Sequence, residues 1–411
     1  MKPEFSKPAK LFLIATLLYG VAFSFWELFF NLYFLASGFD KDYLGLIKAI
    51  SPMSSLLLGL PLGKVADRIG HKNALFFGLS VGLMGMLLQV TFTSPILIIM
   101  MGVVQGAGFM LYRISASPFI MKVSNDNNRT MLFSLNFSLT TFAGMVGNLV
   151  AGQLPGLTSS LLNTPANSAL SYQLVIISGI ILGATCLVPL FLIKKFDFED
   201  DEDHQEATPN PINSIRSLFS LKIIQQLFII NSLVGLGAAL LIPYFNVFFR
   251  EVHDMSDKSL GLLYSISSLL VMIGSLSAPW LARVLKSKIV ATNLTQLLSI
   301  GFLLLAGFSP LLWLAQIGFL LRTVLMQLSS PLLENFAMEV SPPGREGTIA
   351  GIRSMGWQIG QTIGLLVSGL VQSRFGFSPI FIITASLYFL SIVLAWLYFR
   401  PMEKAAASAT A

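Results

Sequence analysis

The sequence predicts an all-α integral membrane protein of twelve transmembrane helices, arranged as two six-helix repeats with both termini cytoplasmic. Three observations predict it. Of 411 residues, 54% are hydrophobic and only 11% charged, against roughly 25% charged in a soluble protein. Twelve apolar runs each approach or exceed the ~20 residues that cross a bilayer. The first half of the chain also matches the second at a nearly constant offset.

The runs cover about 11–36, 43–66, 73–92, 95–121, 130–154, 170–193, 222–249, 259–284, 289–308, 311–339, 346–371 and 379–399. The least marked boundary is Ser309-Pro310, where two helices are joined by almost nothing. Basic residues orient the set, because Lys and Arg are retained on the cytoplasmic side. With the N-terminus inside, that side holds Lys64, Arg68, Lys72, Lys122, Arg129, Lys194, Lys195, Arg283, Lys286, Lys288, Arg345 and Arg400. The outer side holds only Lys41, Arg250, Lys258 and Arg374. The longest connection, 194–221, contains the acidic run Asp197–Asp203 and reads as a solvated linker, since such a block cannot bury itself. It divides the chain into an N-terminal bundle (1–193) and a C-terminal bundle (222–411).

Repeat matches run across most of each half. A shift of 216 (261 − 45) puts Leu44, Gly45 and Leu46 on Leu260, Gly261 and Leu262, and Lys72 on Lys288. A shift of 217 (341 − 124) puts Met121 and Ser124 on Met338 and Ser341, Gly147 on Gly364 and Gly152 on Gly369. Two parallel six-helix repeats are a known plan for secondary transporters, with a site between the halves.

Other classes are disfavoured. Cys186 stands alone, which excludes an internal disulfide and a multi-cysteine metal site. His71, His204 and His253 all fall in predicted connections, and no phosphate-cradling loop is present, which argues against an enzyme or an ATP-driven pump. The first run is too long for a cleavable signal and lacks a cleavage site. The net charge of +6 sits in short connections, where it orients helices and does not point to nucleic acid. The expected partners are a small-molecule substrate and membrane lipid, for a monomer without cofactor in the cytoplasmic (inner) membrane.

The densest charge in the first half is Gly63–Lys72, GKVADRIGHK, between the second and third helices. Asp67 can complement a helix N-terminus, and Arg68 and Lys72 can bind acidic groups or anionic headgroups. A plain topogenic loop is the simpler alternative. The stretch resembles the signature of the major facilitator superfamily, Gly-x-x-x-Asp-Arg-x-Gly-Arg-Lys/Arg. Gly63, Asp67, Arg68, Gly70 and Lys72 match, and His71 replaces one basic residue. Partial drug-exporter elements follow: Gln105, Gly106 and Gly108 with Gly102 where an Arg is usual, and Ala143, Gly147, Asn148, Ala151 and Gly152 on the fifth helix. The resemblance implies that the second and eleventh helices meet across the halves, and that the first, fourth, seventh and tenth line a cavity. It also implies that Gly63–Lys72 acts as a cytoplasmic latch.

Small residues recur every four positions as Ser51, Ser55, Gly59 and Gly63, and as Gly356, Gly360, Gly364 and Ser368, the pattern of close helix packing. These stripes are expected to form the contact between the second and eleventh helices. Intramembrane charge marks function by default. Glu27, with Ser24 and Asn31 near its face, is a candidate to couple protons or substrate; a structural ion pair with Lys48 is its rival. Arg113, beside Tyr112, can bind an anionic group or snorkel. The tenth helix carries Thr323, Gln327, Ser330 and Glu334 as one polar stripe, and the seventh carries Asn231 and Asn246. Asn231, Asn246, Thr323, Gln327 and Ser330, with Ser24, Asn31, Gln105 and Tyr112 of the first half, are the expected cavity lining. Glu334 and Arg353 are a candidate gate pair. Arg322 projects from a neighbouring face.

The resulting expectation is a secondary active transporter working by alternating access, through proton-coupled efflux of an amphipathic compound. The alternatives are uptake or exchange of a small organic anion, with Arg113 or Arg322 as its partner, and a non-transporting sensor or scaffold.

Overall fold

Apolar runs in lipid must bond their own backbone, and the helix does so within one segment. The computed structural model describes residues 5–125, 128–193, 221–339 and 346–410. Among them the helices are α1 (Lys7–Ala36), α2 (Lys41–Ile69), α3 (His71–Thr91), α4 (Pro95–Val123), α5 (Arg129–Leu162), α6 (Ala169–Ala184) and α7 (Leu187–Leu192). The second half comprises α8 (Lys222–Leu241), a short 3-10 turn (Ile242–Tyr244), α9 (Phe245–His253), α10 (Asp257–Leu285), α11 (Lys288–Phe308), α12 (Leu312–Glu339), α13 (Glu346–Phe375) and α14 (Ser378–Thr410). The acidic linker, apart from Leu221, lies outside the described residues, as does Arg345.

The expected sixth and seventh spans are each two pieces. The seventh breaks at Ile242–Tyr244 because Pro243 has no N–H to continue the ladder. Ser309-Pro310 does separate α11 from α12. Among the described residues eleven segments are long and apolar enough to cross a membrane, so the protein is a multi-pass membrane protein. The exception is α13, the expected eleventh span, which is 30 residues long but carries Arg353, Gln358, Gln361 and Gln372 among its glycines. Its glycine stripe is packed against a neighbouring helix rather than turned to lipid, so the low hydropathy costs little there.

The helices form two bundles with a common set of ends. One end, called the basic end here, carries the α2–α3 and α10–α11 hairpins. The chain start lies there too, where the Ser6 hydroxyl donates to the Val123 carbonyl at 2.9 Å. So does α14, whose Glu403 accepts the Lys288 N–H at 2.7 Å. The α1–α2, α9–α10 and α13–α14 turns lie at the far end.

Within each bundle, small residues set the spacing. A Cβ on Gly147 would strike Val21 O at 2.6 Å, fixing α5 on α1. A Cβ on Gly106 would meet Ser51, fixing α4 on α2. The stripe Gly356, Gly360 and Gly364 seats on the carbonyls of Phe228, Ser232 and Leu236 in α8. Ser368 donates to the Leu240 carbonyl of the same segment. These stripes therefore hold each bundle together. The expectation that they join the second and eleventh helices is corrected. Those helices do meet, but through other residues.

Candidate functional site

The two bundles touch at the far end. Gly45 of α2 faces α13, where a Cβ on Gly45 would meet Leu365 O at 2.7 Å and Gly369 Cα at 3.0 Å. Gly261 of α10 faces α5, where its Cβ would meet Asn148 O at 2.5 Å and Gly152 Cα at 2.7 Å. These contacts are repeat equivalents: Gly45 matches Gly261 at 216, and Gly152 matches Gly369 at 217. Gly369 is five residues past Gly364, about 140° round the helix at 100° per residue, so it looks out of the bundle while the stripe looks in.

Between the glycine contacts lies a reciprocal clasp. Asn31 of α1 donates to the Asn246 side-chain oxygen at 2.9 Å and to the Pro243 carbonyl. Asn246 donates to the Leu28 carbonyl at 2.8 Å. Each amide thus reaches the carbonyl three residues before its counterpart, across 215 residues of sequence. Both asparagines are buried, at 0% and 1% exposure. The expectation that they line the cavity is corrected: they close its far end.

Two charged contacts complete the closure, and neither is apparent from sequence. Lys41 pairs with Glu251 at 2.5 Å. Tyr172 of α6 donates to Asp257 at 3.0 Å, while Arg250 donates to Tyr172 at 3.3 Å and lies 3.5 Å from Asp257.

At the basic end the bundles stand apart. A Cβ on Gly63, Gly70 or Gly351 would meet no neighbouring atom within 4 Å. Asp67 and Arg68 are exposed, and neither has an ion-pair partner within 4.0 Å among the described residues. Gly70 adopts φ +81°, a left-handed conformation that favours glycine and allows α3 to start at once after α2. Its repeat mate is Lys286 (286 − 70 = 216), also left-handed at φ +50°. The second hairpin is pinned by its own bundle, since Glu403 accepts from Ser287, Lys288 N and Arg400. The first hairpin has no such bond described.

A cavity of about 880 Å³ opens between these ends within the second bundle, its lining drawn from residues 231–388, so the expectation that the first and fourth helices share in lining it is corrected. Six expected site residues line it together: Asn231, Thr323, Gln327, Ser330, Glu334 and Arg353. Arg322, expected as an anion partner, lines it too, and the structure adds Gln296, bonded to Ser329 at 3.2 Å, with Trp357 and Tyr388. Arg322 is 2% exposed and donates to the Tyr388 hydroxyl at 2.6 Å. Arg353 is 9% exposed, and its Nε has no partner. Glu334 and Arg353 do not form their expected pair within 4.0 Å; Glu334 is exposed at the open basic end.

The expected residues of the first half divide. Glu27 and Arg113 are exposed. Glu27 lies within electrostatic reach of Lys48 and, from the opposite bundle, Tyr264. No ion pair joins it to Lys48, whose ammonium sits 5.3 Å over the Phe30 ring. Tyr112 is half-buried, its ring 5.5 Å from that of Tyr19. Ser24 and Gln105 are corrected. Ser24 is buried, donates to Val21 O at 2.6 Å and fills the notch at Gly147. Gln105 is buried where Gly85 lets α3 approach α4.

Comparison with known proteins places this architecture. A family model described as Major Facilitator Superfamily matches residues 11–360 and 294–411. The chain is 30% identical over 202 residues to the multidrug resistance protein MdtG of Rahnella sp. (strain Y9602), covering 47% of this chain and 46% of that protein. The chain thus spans about half the length of that relative. It is 23% identical to MdtG of Dickeya zeae (strain Ech586) over 393 residues, 93% of this chain and 91% of that one. Among solved structures, a bacterial homolog to the human lysosomal transporter Spinster, inward-facing and occupied, superposes with a TM-score of 0.75 at 13% identity. That match covers 95% of this chain and 96% of the other, and it speaks to the fold alone.

Proposed function

The chain belongs to the Major Facilitator Superfamily and is a membrane transporter, not an enzyme; from that premise we propose that it exports amphipathic compounds in exchange for protons, by alternating access. The carrying observation is the interface, closed at the far end and parted at the basic end, beside a cavity walled by the second bundle. The distribution of Lys and Arg supports placing the basic end, with both termini, in the cytoplasm. The protein then sits in the cytoplasmic membrane, with α13 as its twelfth crossing. In each cycle residues 1–193 rock against 222–411, so that the far end parts as the basic end closes.

Efflux is supported by likeness to relatives named for multidrug resistance. Proton coupling is supported by Glu27, a carboxylate on α1 that is exposed and free of an ion pair with Lys48. Exposed in this state and enclosed in the other, it would release and take up a proton once per cycle. The latch Gly63–Lys72 would engage α13 when the basic end closes, with Asp67 as the acidic member.

The test is transport by protein reconstituted in liposomes under an imposed pH gradient. Gradient-driven export should be lost in Glu27→Gln while binding without a gradient persists. Export by Glu27→Gln at the wild-type rate and gradient dependence would sink the coupling role. A second reading, uptake or exchange of a small organic anion, is favoured by the two arginines buried in the cavity. Under it, anion exchange proceeds with no pH gradient.

A further inference from the structure

We propose that the compound carried is an organic oxyanion, its anionic group held by Arg322 and the Tyr388 hydroxyl and its apolar body along the cavity wall. This deepens the transport reading and rests on the cavity being the transport site; it does not depend on direction.

Arg322 carries five N–H donors. One nitrogen, Nη2, bonds the Tyr388 oxygen at 2.6 Å, and the guanidinium carbon lies 5.5 Å from the centre of that ring. Nε is buried without a partner. An arginine cannot shed its proton to escape burial, as a lysine or histidine can. A buried guanidinium therefore needs a negative neighbour. Among the described residues no carboxylate lies within 4.0 Å of it. The one acid in the cavity lining, Glu334, is twelve residues along the same helix (334 − 322), roughly 18 Å away at 1.5 Å per residue. Its charge falls on Arg353 instead.

Elsewhere in the protein a tyrosine and an arginine are completed by an acid: at the far end Tyr172 stands between Arg250 and Asp257. Tyr388 has the arginine and, among the described residues, lacks the acid. Arg322 itself is the mate of Gln105 (322 − 105 = 217), so the positive charge belongs to the second half only. A carboxylate, sulfonate or phosphate monoester on the ligand completes the arrangement, since a guanidinium fork binds such groups through two parallel bonds. Val234, Ile242, Val271, Met326 and Trp357 offer apolar wall for the remainder. A volume of 880 Å³ suits a drug-sized molecule.

The experiment is thermal-shift and equilibrium binding on the purified full-length protein without any gradient. The probes are phenylbutyrate and naphthalenesulfonate, with phenylbutyramide and phenylbutylamine as matched neutral and cationic bodies, and chloride as a small inorganic anion. The anions should bind at least about tenfold more tightly than the amide, the size of a charge-assisted hydrogen-bonded contact. Arg322→Gln should erase that preference, and Tyr388→Phe, which keeps the ring, should reduce it a few-fold. If Arg322→Gln does not yield folded protein, Tyr388→Phe together with the wild-type series decides. Equal binding of anion and amide overturns the proposal, as does tighter binding of the amine or an anion preference unchanged in the variants. Matching stabilisation by chloride at equal ionic strength overturns it too, because the arginine then needs no organic ligand. The outcome is separable from the efflux reading: anion preference without gradient-driven export sinks efflux and leaves the site standing.

Discussion

The two ends of the bundle interface are built from the same repeated sequence, yet only one is closed. At the far end, repeat-related glycines bring α2 onto α13 and α10 onto α5, and repeat-related asparagines clasp across the pseudo-symmetry axis. At the basic end the related hairpins diverge. The second is fastened to its own bundle through Glu403, while Asp67 and Arg68 of the first face open space. Backbone-to-backbone contact needs only the absence of side chains, so it can form and part without leaving apolar surface stranded. Charged latches add selectivity of partner at modest energy. The far end uses both between the bundles, whereas the charge pairs of the basic end, such as Arg400 with Glu403, lie within one bundle.

The comparison can be broken most forcibly at Gly369. A Cβ there would meet Lys41 O at 2.6 Å, and backbone cannot yield. Gly369→Val should disfavour far-end closure by roughly 1–3 kcal/mol or more. Transport should fall at least tenfold, with normal membrane insertion and greater labelling by impermeant reagents from the far side. The asparagine clasp comes next. Asn31→Ala or Asn246→Ala leaves a buried partner unsatisfied and should shift the same equilibrium by about 1–3 kcal/mol. The double variant should cost less than the sum, as residues sharing one interaction do. Additive effects would show that the clasp is not a unit.

Smaller effects sharpen the contrast. Asp67→Ala should slow turnover several-fold, of the order of 0.3–1 kcal/mol for a carboxylate at a helix end. Insertion and far-end labelling should be unchanged, and normal turnover would reduce the hairpin to a topogenic loop. Lys41→Ala should be smallest, about 0.2–1 kcal/mol for an ion pair with both members partly exposed. Its effect should fade in high salt, where exposed charges are screened.

Much of the fold is legible in the sequence because lipid leaves few alternatives. Helix positions follow from hydropathy, and the repeat follows from identities such as Gly45 with Gly261. What those glycines touch does not follow. Gly364 and Gly369 are close in sequence but look in different directions, and only packing tells which one meets the other bundle. Asn31 and Asn246 stand out as polar residues in apolar helices, which fits a cavity wall as well as a clasp. Lys41 and Glu251 lie 210 positions apart in connections that carry no motif. The polar stripe of α12 was the better guide, since Thr323, Gln327, Ser330 and Glu334 do share one cavity. Arg322 stands out in sequence as a charge within a membrane helix, but that no acid lies within 4.0 Å of it among the described residues is seen only in the fold.

The central claim is that the two ends open in alternation. Paired spin labels test it directly, at Val65 and Met355 for the basic end and at Ser37 and Phe375 for the far end. Buried Cys186 is left unlabelled. At rest the basic-end distance should be long and the far-end distance short. Under turnover, a population should appear in which the first shortens as the second lengthens. Distances that stay fixed, or that lengthen and shorten together, would contradict alternating access.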